Sequence, residues 1–590
     1  MVEAAADSVV RKRVDLRLIP AVVATWTASL VGGFIPGPAS GGVCAVLALA
    51  AVFLLAGAGR PEPGRAAART LSATLAIACI SGAVAAGHCA LTAGMREHGP
   101  LAGAVGEGEG VLIHIMVKGT PASVASGNSG HSRWIIAASL IQLTSHEQVV
   151  RGAAELVVVG GDEWRDVQPG QGIRTTGTLK EARPGQSEAA VLSASSGPVI
   201  IESGFDVNHT AAQLRTSFRG AASWLPPDAA GLLPGMVAGD TSALPEELEA
   251  DMKTVGMTHL TAVSGANCSL IMGAFLILAR SLRLSRPLAA AAAGAGLTAF
   301  VVLVGPEPSV LRAAVMGFVG LMAMTGGLRG RSLTFLCLAT VVLLLLDPTL
   351  AGTYGFLLSV LATLGIVLFA GRIATWLPSR MPPWLAAGLS VPLSAQVLCG
   401  PVLVALQPQL SPYALIANVL AGPLVAPVTI MGTLAVPLSV IHPAGAAVPV
   451  ALAGTSAGMV AGVARFFAGL PGAALPWAEG APGIVAMALL SVLTMGLTWA
   501  LLHPAGVIRM VFALHDRLVK VLEKLEATET RNLSDRGLRG RWARRPPRHG
   551  RLETCKKSSG RNHPWLLPKT PGPRAPLRTP SVGGRQRRPP

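Results

Sequence analysis

Apolar residues arrive in this chain as long unbroken blocks. Runs such as 39–58, 351–371 and 481–503 contain no charged residue. About 20 apolar residues are what a helix needs to cross the roughly 30 Å hydrocarbon core of a bilayer. Lipid offers backbone amides and carbonyls no hydrogen-bond partner, so each run has to be helical. Composition agrees: 51% of the 590 residues are hydrophobic and 13% are charged, about half the usual soluble share of roughly 25%. The chain is therefore read as a polytopic α-helical membrane protein.

Twelve spans are expected, near 18–35, 39–58, 70–93, 256–279, 287–304, 309–326, 332–347, 351–371, 383–406, 411–442, 446–470 and 481–503. The segment 411–442 carries Pro412, Pro423, Pro427 and Pro437, and a broken or partly re-entrant helix is expected there. Lys and Arg in short loops set the orientation. Arg11, Lys12, Arg13 and Arg17 put the N-terminus in the cytoplasm, and Arg60, Arg65 and Arg69 put the second loop there. Arg280, Arg283 and Arg286, then Arg329 and Arg331, then Arg372 and Arg380 mark later inner loops. Arg509, Arg517 and Lys520 return the C-terminus to the cytoplasm, whereas 305–308 and 407–410 contain no Lys or Arg. The expected location is the cell membrane, multi-pass, with both termini cytoplasmic.

The long polar stretch after the N-terminal spans (18–93) then lies outside. Its runs at 111–117, 134–143, 155–159, 173–179 and 190–201 are short, alternating or β-branched, and separated by Gly, Pro, Asn and Ser. Five strands over 105–203 fit an inserted extracytoplasmic β-rich OB-like domain. Such barrels often hold single-stranded nucleic acid through basic grooves and aromatic stacking. This one has seven basic against ten acidic side chains, and its aromatic Trp, Tyr and Phe are limited to Trp134 and Trp164. A structural or protein-contacting module fits that charge better. Residues 206–255 read as an amphipathic segment at the outer interface, with a second short helix opened by Pro245-Glu246-Glu247.

The net charge of +17 is concentrated at one end. Residues 531–590 hold 17 Lys or Arg against Asp535 and Glu553, a net of +15, with no periodic apolar face. A disordered basic tail is expected there, attracting anionic lipid or nucleic acid without specificity. The seven cysteines form no CxxC and read as small hydrophobes in apolar segments.

Polar residues inside the membrane core (256–505) mark the candidate site, because they usually face a bundle interior or a wet path. Gly256-Met-Thr-His-Leu-Thr-Ala-Val-Ser-Gly-Ala-Asn-Cys-Ser269 opens a span. If helical throughout, it would gather His259, Ser264 and Asn267 within about a 140° arc, with Gly265 permitting close approach. Interhelical packing and a pathway-lining face are both open readings of it. Arg312 sits one turn into its span. It could snorkel, meet an anionic substrate or pair with Asp347, which could equally cap the helix after Pro348. Gln396, near Gly400-Pro401, and Asn418, in Ser411-Pro-Tyr-Ala-Leu-Ile-Ala-Asn418, lie where prolines free backbone groups beside cavities. Walker A, HExxH, GxSxG and clustered His/Asp metal motifs do not occur. No enzyme activity, cofactor or metal is expected.

The same segments resemble the ComEC family, the inner-membrane channel for DNA uptake in natural transformation. The resemblance rests on Gly239-Asp-Thr-Ser-Ala-Leu-Pro245, Gly256-Met-Thr-His-Leu-Thr-Ala-Val-Ser-Gly265, Pro308-Ser-Val-Leu-Arg-Ala-Ala314, Leu346-Asp-Pro348 with Gly355-Phe-Leu-Leu-Ser359, and Leu410-Ser-Pro-Tyr-Ala-Leu-Ile-Ala-Asn418. It implies a channel for single-stranded DNA. The implied partners are membrane lipid, a cytoplasmic ATPase or helicase and an extracytoplasmic DNA receptor, with a homo-oligomer left open. Family members commonly carry Gly-x-His-Val after the Ser-Gly pair. Here Ala266-Asn267-Cys268-Ser269 stands instead, so no histidine role transfers. Many members also carry a metallo-β-lactamase-like domain, and this sequence has no HxHxDH, so nuclease activity is not expected of it. The rival readings are a secondary transporter of a small solute or lipid and a membrane-bound hydrolase.

Overall fold

The computed structural model describes residues 15–58, 66–98, 110–119, 121–124, 133–145, 148–152, 154–181, 188–203, 207–261, 263–305, 308–325, 332–378 and 380–541. Arg11, Lys12, Arg13, Arg60, Arg65, Arg329, Arg331, Cys555 and the tail from 542 lie outside the described residues.

Each of the twelve expected spans contains a helix among the described residues, though not always over its full length. Three helices come first, α1 Ile19–Gly32, α2 Gly37–Ala58 and α3 Ala66–His98. The core contains α7 Gly265–Ser281, α8 Arg286–Val304, α9 Pro308–Thr325, α10 Ser332–Leu346, α11 Tyr354–Trp376, α12 Pro383–Leu406, α13 Ala414–Ile441, α14 Pro443–Ala468 and α15 Gly480–Leu502. Among the described residues nine helical stretches are long and apolar enough to cross a membrane, and α1, α9 and α10 supply shorter apolar helices. The chain is a membrane protein with an inserted β domain. The N-terminal bundle meets the core where Trp26 Nε1 donates to Ala351 O at 3.2 Å and His88 Nδ1 lies 3.1 Å from Leu345 O.

The β domain has five principal strands, β1 Gly110–Val117, β3 Arg133–Ser145, β5 Glu155–Gly160, β6 Gln171–Glu181 and β7 Ala190–Ala194. Short β2 Ala122–Val124 and β4 Gln148–Arg151 pair with β3, and β8 Val199–Ser203 pairs with β6. The order β1-β3-β5-β7-β6 closes because β6 also pairs with β1, so no principal strand is left at an edge. Among the described residues β5–β7 is the one parallel pair. Inward residues alternate along the strands: Ile113, Ile115, Ile136, Leu156, Ile173, Leu179 and Leu192 are fully buried together with Trp164. The run expected as one strand over 190–201 is two strands, because Gly197 and Pro198 interrupt it.

Three helices join this barrel to the core, α4 Val207–Ala222, α5 Pro227–Ala238 and α6 Glu246–Thr254. The sequence reading missed α5, whose residues from Gly231 to Ala238 are all buried. The largest apolar cluster among the described residues assembles α4, α5 and α6 against α13 and α14, through Phe218, Leu232, Met236, Leu248, Val428, Val436, Val450 and Val460.

Three expectations change. The first is the helix expected from 256. Gly256 turns with φ +68°, residues Thr258–Leu260 form a 3-10 turn, and Ser264 is extended as the N-cap of α7. Ser264 is a residue type that favours the extended N-cap position over the helix interior. His259 and Ser264 therefore precede the helix and the proposed arc does not form. The second is α13, expected to break at its prolines. It runs unbroken over 28 residues through Pro423, Pro427 and Pro437, a tolerance that packing against neighbouring helices permits in membranes. The third is the boundary placed at 531: α16 Pro504–Arg541 continues past it before the described residues end.

Candidate functional site

The segment 255–269 is threaded between α5, α7, α9 and α13. Gly256 supplies the left-handed turn that follows α6, a conformation side chains with a Cβ resist. Met257 is fully buried beneath it, and Thr261 Oγ1 closes the 3-10 turn by donating to Thr258 O at 2.8 Å. Gly235 of α5 presses on the same turn. A Cβ there would stand 2.5 Å from Thr261 O, so the backbones meet only because Gly235 has none. His259 is exposed on the turn.

Ser264 and Asn267 then lock the start of α7. Ser264 Oγ donates to Asn267 Oδ1 at 3.2 Å, and Asn267 Nδ2 donates to Met236 O at 3.0 Å. Met236 O is among the last carbonyls of α5, which have no partner within their own helix. Asn267 is 3% exposed. Of the two readings left open for it, the structure favours packing over a wet face.

Arg312 lies one turn into α9 and is 6% exposed. Its Nε donates to Ser359 Oγ of α11 at 2.8 Å and its Nη1 approaches Met316 Sδ at 3.5 Å. Gly265 makes room for the guanidinium, since a Cβ there would be 3.3 Å from Arg312 Nη2 and from Ala313 Cβ. Ser309 Oγ of α9 donates to Val263 O at 3.2 Å and ties the two segments together. Among the described residues no carboxylate pairs with Arg312. Asp347 caps the 3-10 turn Pro348–Gly352 instead, accepting from Thr349 N at 3.0 Å. The alternative pairing of Arg312 with Asp347 is therefore corrected: the Asp-Pro sequence fixes Asp347 as a local cap.

Asn418 joins the cluster through its side chain, donating from Nδ2 to Ala414 O at 2.8 Å and Gly256 O at 3.4 Å. Gln396 stands apart and half-buried on α12, a turn before Gly400, which faces Met487 and Ser491 of α15. The structure thus gathers His259, Ser264, Gly265, Asn267, Arg312 and Asn418, and leaves Asp347 and Gln396 elsewhere. Sequence reasoning missed Ser359. Its one cue was membership in Gly355-Phe-Leu-Leu-Ser359, a stretch that carries part of the family resemblance, since Ser359 lies inside the apolar run 351–371.

Charge around α4, α5 and α14 is met locally. Arg219 Nη1 donates to Asp240 Oδ2 at 3.1 Å and Ser242 Oγ at 2.6 Å, while Asp240 Oδ1 accepts from Ser242 N at 3.1 Å. Gly239, with φ +75°, ends α5 and starts this turn. Arg215 Nη1 reaches Val304 O at 3.4 Å, at the negative end of α8. Burial lowers the Arg215 pKa, and Asp240 partly offsets that shift. Arg465 grips Asp228 with two bonds of 2.6 and 2.8 Å and lies 3.5 Å from Asp251 and 3.7 Å from Glu247. The hydrogen bonds from Arg465 hold the Asp228 carboxyl below its ordinary value. Among the described residues no group of three His, Cys, Asp or Glu is placed to hold a metal ion.

Comparison with known proteins falls on this same region. Residues 236–502 match the family model described as competence protein. That region, a little under half of the chain, resembles the competence protein family. A stretch of 147 residues is 35% identical to ComE operon protein 3 of Bacillus subtilis (strain 168), covering 25% of this chain and 19% of that relative. The match thus spans about a fifth of the relative's length. No solved structure matches the chain. The matched region opens at Met236, the residue whose carbonyl Asn267 holds, so the family model takes in the whole cluster around Gly256, Gly265 and Arg312.

Proposed function

We propose that this chain forms a path by which single-stranded DNA crosses the cytoplasmic membrane during natural transformation. The observation that carries the reading is Arg312. A permanently charged guanidinium inside a membrane helix is costly, roughly 3 kcal/mol at the helix centre and less toward an end, and points to a functional role. Here it is held by a hydroxyl and a thioether, two neutral groups, beside Gly265 at the start of the helix that follows the exposed His259 turn. A neutral cradle leaves the positive charge uncompensated, so a phosphate admitted beside this buried group would gain an ion pair. Multiple strong phosphate contacts would arrest a polyanion; a single buried arginine guides without holding.

The strand order of the barrel, closed with one parallel pair, supports reading it as an OB fold. The alternation of Arg-bearing and Arg-free loops supports an extracytoplasmic barrel and cytoplasmic termini. The role assigned to these residues is transport rather than catalysis. A cytoplasmic ATPase or helicase supplies the pulling force, and an extracytoplasmic receptor delivers the strand.

Deletion of the gene in a competent host tests the proposal. Entry of labelled DNA into a nuclease-protected state should fall to background and return when the intact chain is supplied. Unchanged entry in the deletion strain would discard the reading.

A further inference from the structure

Helix α13 is about 42 Å long at 1.5 Å per residue, enough to cross a bilayer, and counting spans alternately would carry its end to the cytoplasmic side. Its contacts do not follow that path. At its start, Asn418 reaches Gly256 O and Tyr413 Oη donates to Pro471 O at 3.0 Å, beside the two-residue pairing of Gln409–Leu410 with Leu475–Pro476. Gly256 precedes α7 and so lies on the side of the membrane where the barrel is attached. Midway, a Cβ on Gly432 would overlap Val237 of α5. Two residues on, Gly239 abuts Val304, the barrel-side end of α8, and Met236 is bound by Asn267 at the barrel-side start of α7. At the far end, Val440 lines a cleft of about 390 Å³ together with Gln168 of the barrel and Thr210, Gln213 and Ser217 of α4. Start, middle and end of α13 all meet the barrel-side ends of other elements.

Helix α14 returns along the same course. A Cβ on Gly454 would meet Leu225 at 2.5 Å, and Arg465 holds Asp228 and approaches Asp251. The connecting turn His442-Pro-Ala-Gly445 contains no Lys or Arg, whereas each loop between core helices otherwise assigned to the cytoplasm carries at least two. The outward face of the hairpin is apolar and unpartnered: Ile416, Leu420, Leu434, Ile441, Val448 and Leu452 are each more than half exposed.

We infer that the α13–α14 hairpin does not cross the bilayer. It lies across the barrel-side ends of the crossing helices, and its exposed apolar face is immersed in the acyl chains of that one leaflet. Ten helices cross. The orientation of the termini is unchanged, because removing a pair of crossings preserves the alternation. The unbroken α13 also acquires a reason: it is a strut tying the barrel, α4, α5 and the 256–264 turn into one outer unit.

The experiment uses the full chain with its seven cysteines replaced and single cysteines introduced by Ala444→Cys in the hairpin turn, Val149→Cys in the barrel and Ser285→Cys between α7 and α8. All three positions are exposed. A membrane-impermeant maleimide is applied to sealed membranes from each side in turn. Position 444 should react from the same side as position 149 and the opposite side to position 285. Reaction from the side of 285, or from neither side, overturns the inference. The readout is relative to the barrel, so it does not depend on the DNA reading. A fluorophore on Leu452→Cys in bilayers of brominated phosphatidylcholine tests the lipid contact. Bromines high on the acyl chain should quench it more than bromines at the chain end. Equal or stronger quenching by the chain end, or none, overturns the single-leaflet placement.

Discussion

Replacing Asn267 by alanine isolates the link between α5 and the start of α7. The substitution removes the 3.0 Å bond to Met236 O and the 3.2 Å bond from Ser264 Oγ. Asn267 is 3% exposed, so water does not readily take its place. A buried carbonyl deprived of its donor costs about 1–3 kcal/mol. Nearby, Gly239 N donates to Gly235 O and Asp240 N to Pro234 O, and neither is placed to rescue Met236 O. We therefore expect Asn267→Ala to lose about 1–3 kcal/mol of unfolding free energy, and Asn267→Asp to lose more, because a carboxylate would face the carbonyl without a proton to donate. Unfolding of the purified protein in mixed detergent micelles, followed by tryptophan fluorescence, measures the difference. A loss below about 0.5 kcal/mol, the usual range for a surface substitution, would refute the assignment of Asn267 to packing.

Gly235→Ala places a Cβ 2.5 Å from Thr261 O and should destabilise by about 1–3 kcal/mol, the usual cost of overpacking, measured in the same unfolding assay. Arg312→Lys keeps the charge but not the planar donor aimed at Ser359; DNA entry should fall about tenfold at unchanged protein level, with Ser359→Ala intermediate, and equal entry would demote Arg312 to a packing role. The Asp228–Arg465 pair should stabilise the protein above the unfolded carboxyl value of 3.8 and lose that contribution as pH falls through the lower folded value. Asp228→Asn should therefore flatten the acid limb of a stability-against-pH curve, and an unchanged limb would contradict the assignment.

Much of the architecture was legible because lipid leaves few options. Runs such as 383–406 and 480–502 have to be helices, and α12 and α15 fall within a residue of the expected limits. The barrel strands were readable from alternation, except where Gly197-Pro198 splits the last run. The site was less legible. Thr, Val and Ser at 261–264 look compatible with a helix until Gly256 takes a left-handed turn and Ser264 caps the next one. Asp347 offered two roles, and only coordinates choose the local cap. Ser359 was hidden because a serine near the start of an apolar helix carries no periodic signal; its meaning comes from Arg312, 47 residues away. The course of α13 was equally hidden, because hydropathy records contact with lipid and not the direction in which a helix runs.

The central claim is that single-stranded DNA passes beside the 256–264 turn and Arg312. A photo-activatable benzoyl-phenylalanine in place of the exposed His259 tests it most directly, in cells taking up labelled DNA. Irradiation during uptake should attach the labelled strand to the protein at position 259. The same probe at Ile277, on the exposed apolar face of α7, should attach none. Attachment at neither position, while uptake proceeds normally, would contradict the account.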